Sequence, residues 1–423
     1  LRRPVSAIDR PAVLRAWLDA RWTGSRLTTP AAVAARQARL WRQMTPVIAR
    51  TPAVAHLAGQ PLEAFPILSP QAVRDDFDRW NTLGLTRAAA EAAARGAETG
   101  GSGEVAPGVV AGFSSGSSGA PGLFISSKAE RAAYLGHMIA RLMPKSALFR
   151  KKRIGLSLRA SSKLYSDVSG AGPFRFLFLG LEVPGEVKLE RLEAFAPHIL
   201  IAPAHVLADL TRRVEDGAPW RPARLFWGAE PMGEIERDWI EATLESRPAP
   251  IYQATEGFLG APCVHGTLHL NEDVLIVERE PVPGTNRFLP IITDLRRTTQ
   301  PMIRLRLPDL LEPLAAPCPC GSARTAIRPV EGRLEDLWRW GGIAVPPRAV
   351  EETVSAALGP AEDWRAVAGP SRVIVEAAPD RVDDAVEALR ALLAERGVVV
   401  PVEAGGPPPP VAVKRRRVRW SDG

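Results

Sequence analysis

The stretch Phe113-Ser-Ser-Gly-Ser-Ser-Gly-Ala-Pro-Gly122 constrains this chain more than any other. An apolar run from Val109 to Ala111 precedes it and reads as a strand. A second, Leu123 to Ile125, follows it, and a helical stretch runs from Lys128 to Met143. Ser127, with Glu130 three residues on, forms a capping-box start for that helix. A turn of alternating serine and glycine between two strands aims hydroxyls and bare backbone N–H groups at one point, a donor array that suits a phosphate chain. The same composition also suits a flexible hairpin or linker. It is not a Walker loop, because no Gly-Lys-Ser/Thr follows. The choice between cradle and linker rests on what lies downstream.

Length and composition set the frame. A chain of 423 residues, 46% hydrophobic and 24% charged, can bury a sizeable core and is expected to form two or more domains. No apolar run is long enough to span a bilayer, so the expectation is a cytoplasmic protein with no membrane partner. Three cysteines, two of them in Cys318-x-Cys320, do not make a secreted disulfide framework. The formal charge is +7, but Lys414, Arg415, Arg416, Arg417 and Arg419 supply five positives in one tail. A nucleic-acid partner would therefore rest on that tail alone, where Trp420 is the single aromatic, and is not favoured.

Residues 1 to about 60 show helical periodicity, with Val13, Ala16 and Trp17, then Val33, Leu40, Trp41 and Met44, on single faces. Ser69 and Pro70 open another helix, and 88–97 is helical. Apolar bursts at 154–158, 174–179, 198–201, 225–230 and 251–256 alternate with helical or turn segments. Strands alternating with helices predict an α/β fold whose ligands gather at strand C-terminal ends. From about Thr267 to Leu311 the texture turns β-rich. After a charged joint near 333–340, a compact αβ unit is expected: helix 349–358, strand 371–377, helix 383–396, strand 398–402. Gly405-Gly-Pro-Pro-Pro-Pro410 is a stiff tether that delivers the basic tail. The expected architecture is a large N-terminal domain, 1–334, of mixed and parallel sheets with helices plus a β-rich subdomain. A small mobile αβ C-terminal domain, 335–423, completes it.

Several motifs line up in one order. Phe113-Ser-Ser-Gly-Ser-Ser-Gly-Ala-Pro121 resembles the phosphate loop of the adenylate-forming superfamily, which includes acyl-CoA synthetases, peptide-synthetase adenylation domains and luciferases. Tyr252-Gln-Ala-Thr-Glu-Gly257 is similar to its aromatic-x-x-Thr/Ser-Glu motif. Thr293-Asp-Leu295 with Pro301 to Asp309 resembles its Arg-Tyr-Arg-Thr-Gly-Asp segment, and Gly332-Arg-Leu-Glu-Asp336 its domain joint. Within the superfamily, the segments 252–257, 266–273 and Cys318-Pro-Cys-Gly-Ser322 resemble the phenylacetate-CoA ligase-like branch. There they are similar to a group related to the deazaflavin-coenzyme adenylating synthetase.

The resemblance implies ATP-dependent adenylation of a carboxylic acid, here an aryl acid, with pyrophosphate release and transfer to CoA, a carrier-protein thiol or an amine. On that reading Ser114, Ser115, Gly116, Ser117, Ser118 and Gly119 hold the phosphates of ATP, and Tyr252 lies against adenine. Thr255 touches the α-phosphate, Glu256 holds Mg²⁺, Asp309 takes the ribose hydroxyls and Arg333 adds a positive contact. Gly228, Ala229, Glu230 and Gln253 complete the nucleotide set, bound as ATP or AMP. Lys414 is the implied catalytic lysine, with Thr255 and Glu256; Glu335 and Asp336 are the implied hinge. Trp227, Gly228, Phe258 and Tyr165, with Ala229 and Phe174, are candidate walls of the acyl pocket, although apolar core explains any one of them equally well.

Departures from the pattern are Gly122 where many members carry Lys, Glu335 at the pivot, and Val413 before Lys414 where Gly is usual. Lys414 is nevertheless the only lysine after Lys188 in an arginine-biased chain. A solvated basic tail is the competing explanation. Cys263, His269, Cys318 and Cys320, with His265 as the alternative imidazole, have the donor types of a structural zinc site; reduced, partly buried thiols are the other possibility. Competing functions are nucleotidyl transfer to a phenolic hydroxyl, nitrite activation for diazotisation, and nucleotide or nucleic-acid binding through the tail. A monomer or homodimer is expected.

Overall fold

The computed structural model describes residues 9–99, 101–113, 122–144, 152–157, 174–180, 183–411 and 414–422. The phosphate-loop candidates 114–119 and the pocket candidate Tyr165 lie outside the described residues.

A five-stranded parallel sheet is the frame. Its order is Phe174–Phe178, Lys152–Leu156, Ile199–Ala202, Arg224–Trp227 and Ala249–Pro250. Helices Gly185–Phe195, Ala204–Glu215 and Glu234–Leu244 intervene along the chain. Every residue of Ile199–Ala202 is buried, because both faces of the sheet are covered. Leu192, Leu207, Leu210 and Ile240 pack on one side, and Leu142, Ile154, Phe226 and Ile251 on the other. Helix Arg10–Gly24 lies against helix Lys128–Leu142 at Gly136, where a Cβ would fall 2.4 Å from the Val13 carbonyl oxygen. The predicted capping box of Ser127 and Glu130 opens that second helix.

The burst at 251–256 is not one strand. Ala249–Pro250 ends the parallel sheet, and Tyr252–Ala254 enters a four-stranded antiparallel sheet with Gly257–Pro262, Leu268–Leu270 and Ala326–Ile327. The Ile251 N–H makes the last ladder bond, to the Trp227 carbonyl at 2.8 Å, and the chain changes sheets after it. Thr255 and Glu256 form the tight turn of the resulting hairpin, between paired Ala254 and Gly257. A three-stranded antiparallel sheet, Leu275–Pro281, Phe288–Asp294 and Leu305–Arg306, supplies the expected β-rich texture.

Toward the C-terminus, helices Pro347–Leu358 and Val382–Glu395 cover a sheet ordered Val402–Ala404, Val373–Glu376, Arg365–Ala368, Val418–Trp420. Trp338, Val350, Trp364, Val373, Leu389 and Val418 share its core. Two details differ from the sequence reading. The strand expected at 398–402 begins only at Val402, and Val399 is 96% exposed. The basic tail folds: Val418–Trp420 pairs in parallel with Arg365–Ala368, while Arg415 and Arg417 are buried. Arginine-rich sequence reads as solvated, but here acidic partners on both sides take it inside. No described helix is long and apolar enough to cross a membrane.

Candidate active site

A cavity of about 590 Å³ lies where the parallel strands end and the C-terminal unit closes over them. Trp227 and Pro250, the Thr255–Glu256 turn, Asp309, Arg333 and Lys414 all line it, as does Gly122 at the end of the serine–glycine stretch. Ligands of open α/β sheets gather at this edge.

The cleft contains a half-buried acid. The Tyr252 hydroxyl donates to Asp309 Oδ2 at 2.7 Å, and Arg333 Nε lies 3.9 Å from Oδ1. An isolated antiparallel bridge pairs the backbones of Asp309 and Arg333. Burial pushes the Asp309 carboxyl above its usual range, despite Tyr252's hydrogen bond and the positive charges of Arg333 and Lys414. Burial and then the Asp309 charge likewise push the Tyr252 phenol up. The phenol therefore stays protonated and donates to Asp309.

The other nucleotide candidates divide by what remains accessible. Gln253, Thr255 and Glu256 line the cavity, and Arg297 steadies their turn by donating to the Thr255 and Glu256 carbonyls at 3.3 and 3.4 Å. Arg297 also reaches the Ile125 carbonyl at 3.3 Å, tying the turn to the strand after the serine–glycine stretch. Sequence reading missed Arg297; an Arg-Arg pair following Asp294 gave no motif to find it by. Gly228 has no room for a side chain, since a Cβ would meet Ile251 Cγ1 at 2.9 Å. Ala229 holds a left-handed backbone at φ +69°, a strained conformation that re-aims the chain after the strand. Glu230 has its carboxylate engaged elsewhere: Oε1 accepts from the Arg415 N–H at 2.6 Å and faces His205 Nδ1 at 2.7 Å, while Oε2 accepts from the His205 N–H at 3.1 Å.

A second cavity, about 190 Å³, shares Thr255 with the first. Phe124, Tyr134, Phe176, Phe178 and Phe258 wall it, with His137 and Arg296 at its polar side. Phe258 meets Tyr134 edge-on at 6.3 Å between ring centroids. Trp227 and Gly228 line the larger cavity instead, and Phe174 lines neither; it is 4% exposed within the core. Sequence reading thus found one wall of the smaller cavity, Phe258, and missed the four aromatics contributed by other elements, Phe124, Tyr134, Phe176 and Phe178.

Glu335 and Asp336 sit at the joint and both accept from Arg416 Nη2, at 3.0 and 2.5 Å. Asp336 Oδ2 also accepts the Arg333 N–H at 3.1 Å.

Away from the cleft, the candidate donor atoms of Cys263, His269, Cys318 and Cys320 all lie within 4.8 Å of one another. The Cys263 and Cys318 sulfurs are 3.7 Å apart, and His269 Nε2 is 3.4 Å from the Cys320 sulfur. A tetrahedral zinc with ordinary Zn–S and Zn–N bonds spaces its donors by about 3.5–3.8 Å. His269 Nδ1 is turned to the Arg324 carbonyl at 2.9 Å, which leaves Nε2 facing the thiols. His265 contributes its backbone N–H to the Cys263 sulfur at 3.4 Å, and its ring is not in the set.

No family model matches the chain, and no curated protein does. Solved structures do. A 2-hydroxyisobutyryl-CoA ligase, in the postadenylation state with R3-HIB-AMP, superposes with a TM-score of 0.64 at 17% identity, over 93% of this chain and 89% of that one. The chain has the fold of the adenylate-forming ligases. The same ligase in an open conformation with 2-HIB-AMP and CoA gives 0.50 at 16% identity, over 98% and 91%. The anthranilate CoA ligase AuaEII, in complex with anthranoyl-AMP, gives 0.53 at 12% identity, over 73% and 65%.

Proposed function

We propose that this chain adenylates a carboxylic acid with ATP and passes the acyl group to an acceptor such as CoA. One observation carries the reading. The Thr255–Glu256 turn, Asp309, Arg333 and Lys414, spread over 160 positions of sequence, line a single cavity that shares Thr255 with an aromatic one. Neighbours of the same fold were solved with acyl-adenylates, which supports the same class of ligand here.

The carboxylate oxygen of the acid attacks the α-phosphorus of ATP, the bond to the pyrophosphate oxygen breaks, and pyrophosphate leaves. Asp309 would accept the ribose hydroxyls, with Tyr252 holding its carboxylate and Arg333 beside it. Lys414 would place its ammonium where negative charge develops on the α-phosphate and the entering carboxylate. Thr255, which lines both cavities, would donate its hydroxyl to the same phosphate. Glu256, the carboxylate of the turn, fits Mg²⁺ shared with phosphate oxygens, which would neutralise charge there when bound. The serine–glycine stretch 114–119 is assigned to the phosphates by resemblance. In the second half-reaction a nucleophile attacks the acyl carbonyl and AMP departs, with residues 335–423 turning about Glu335 and Asp336.

Five aromatic side chains, Phe124, Tyr134, Phe176, Phe178 and Phe258, around a cavity of about 190 Å³ favour a flat aryl acid. Zinc in the Cys263–His269–Cys318–Cys320 set would be structural, because four protein ligands leave no open position.

The test is ATP–pyrophosphate exchange over a panel of benzoates, arylacetates and short aliphatic acids. Exchange stimulated by an aryl acid and lost in Glu256→Ala is the expected result. Absence of exchange across the panel, together with no binding of AMP, would overturn the reading.

A further inference from the structure

Four charged side chains are buried together where the C-terminal segment crosses the large domain. The Arg415 guanidinium donates to both carboxylate oxygens of Glu236 at 2.6 and 2.7 Å. Arg417 donates to Glu236 Oε2 at 3.3 Å and lies 3.6 Å from Glu351. Arg415, Arg417, Glu236 and Glu351 are each no more than 7% exposed. Glu236 belongs to helix Glu234–Leu244 of the large domain, and Glu351 to helix Pro347–Leu358 of the C-terminal unit. A short distance away Glu230 accepts the Arg415 backbone N–H at 2.6 Å, its own carboxylate braced by His205.

Buried ion pairs stabilise a fold little against apolar replacements of the same volume, so a cluster like this calls for another use. Its location supplies one. The N–H that Glu230 holds belongs to the peptide unit joining Lys414 to Arg415, so the grip fixes the Lys414 Cα within one rigid peptide plane. Lys414 itself lines the cleft and acts electrostatically on Asp309. A lysine side chain has four rotatable bonds, so its ammonium is placed only if its backbone is.

We propose that Glu236 and Glu230 are positioning residues. They hold Arg415 by its guanidinium and its N–H, and so deliver the Lys414 ammonium to the nucleotide. This rests on the adenylation reading above and assigns to two large-domain acids the placement of a residue on the other side of the interface. Glu230 serves the nucleotide indirectly, through the backbone of the C-terminal segment.

Lys414 is the only lysine after Lys188, so acetylation of its amine is read unambiguously in a C-terminal peptide by mass spectrometry. The probe is AMP, with an N-hydroxysuccinimide acetate ester as reagent. In the wild type, AMP is expected to slow Lys414 acetylation by about tenfold or more, as a well-placed ammonium at a phosphate should. In Glu236→Gln that protection falls to about twofold or less, while AMP affinity stays within about threefold. The kcat for acid-dependent exchange then drops by about 10²-fold with little change in the KM for ATP, the signature of a misplaced group rather than a lost binding contact.

Glu236→Asp keeps the charge but shortens the reach. It should give an intermediate loss and serves as the decisive variant should the glutamine variant fail to fold. Protection of Lys414 equal to the wild type in a folded Glu236→Gln or Glu236→Asp overturns the proposal, as does a parallel fall in AMP affinity. Failure of the wild type to bind AMP at all would instead sink the adenylation reading beneath it.

Discussion

Tyr252 and Asp309, 57 residues apart in sequence, meet through a 2.7 Å hydrogen bond and both line the larger cavity. The bond is one of the influences holding the Asp309 carboxyl down against burial. Tyr252→Phe should destabilise the protein by about 1.5–3 kcal/mol, the range for hydrogen bonds to charged groups. It should also move the Asp309 titration to higher pH. In the proposed role Asp309 holds the ribose as the ionised acid, so the fall in AMP affinity on acidification should begin at a higher pH in Tyr252→Phe than in the wild type. Calorimetric titration of AMP across pH checks this.

Asp309 itself should show a trade of stability against binding. Its folded-state carboxyl titrates above the ordinary aspartate range. The stability linked to that proton is present below the unfolded pKa and is lost as pH rises through the folded one. Asp309→Asn should therefore melt higher than the wild type near pH 7 but show no such gain near pH 3, while AMP affinity drops by about 10- to 100-fold. Thermal scans at the two pH values, paired with AMP titration, separate the two effects.

Asp273 has the opposite sign. It is fully enclosed, Arg141 Nη2 meets both its oxygens at 2.6 Å, and its carboxyl is held down to about 2: burial opposes this, but Arg141 and then Arg324 prevail. Its contribution is present above the unfolded pKa and is lost as pH falls toward about 2, amounting to about 2 kcal/mol. Urea unfolding of Asp273→Asn should show a shallower loss of stability between about pH 4 and 2 than the wild type. It should also show a loss of about 3–5 kcal/mol at neutral pH from the stranded arginines.

The cysteine–histidine set yields a metal prediction. Protein purified without chelator should carry about one zinc per chain, and Cys320→Ser should lose most of it. Because the set lies apart from the cleft, loss of zinc should lower the melting temperature while leaving the kcat of pyrophosphate exchange within about threefold. Elemental analysis alongside thermal scans and exchange kinetics would show whether the two readouts separate.

The parallel sheet was legible because strands covered on both faces must be apolar throughout, as Ile199–Ala202 is. The short antiparallel pieces were less so. Two residues of Ala249–Pro250 and three of Tyr252–Ala254 carry too little pattern to show that the chain changes sheets between them. Residues that meet because of local sequence order, such as Thr255 and Glu256, could be named from a motif. Tyr134, Phe176 and Arg297 could not, since they reach the smaller cavity from separate elements and look like ordinary core or surface residues in isolation. The C-terminal arginines misled for a related reason. Their neutralising partners, Glu236 and Glu351, lie 179 and 66 positions upstream, so nothing local marks them as interior.

The first and last strands of the four-stranded C-terminal sheet lie on opposite edges, Val402–Ala404 and Val418–Trp420, and the proline run crosses between them. Three inter-strand spacings amount to about 14 Å. Four prolines in an extended left-handed helix measure about 12 Å. The run is one stiff part of the longer connection, residues 405–417, that makes the crossing. Deleting one proline should shorten the connection by about 3 Å and draw Lys414 off its mark while leaving Asp309 and Glu256 in place. Insertions and deletions in this featureless-looking linker should be as damaging to turnover as changes to the acids it never touches.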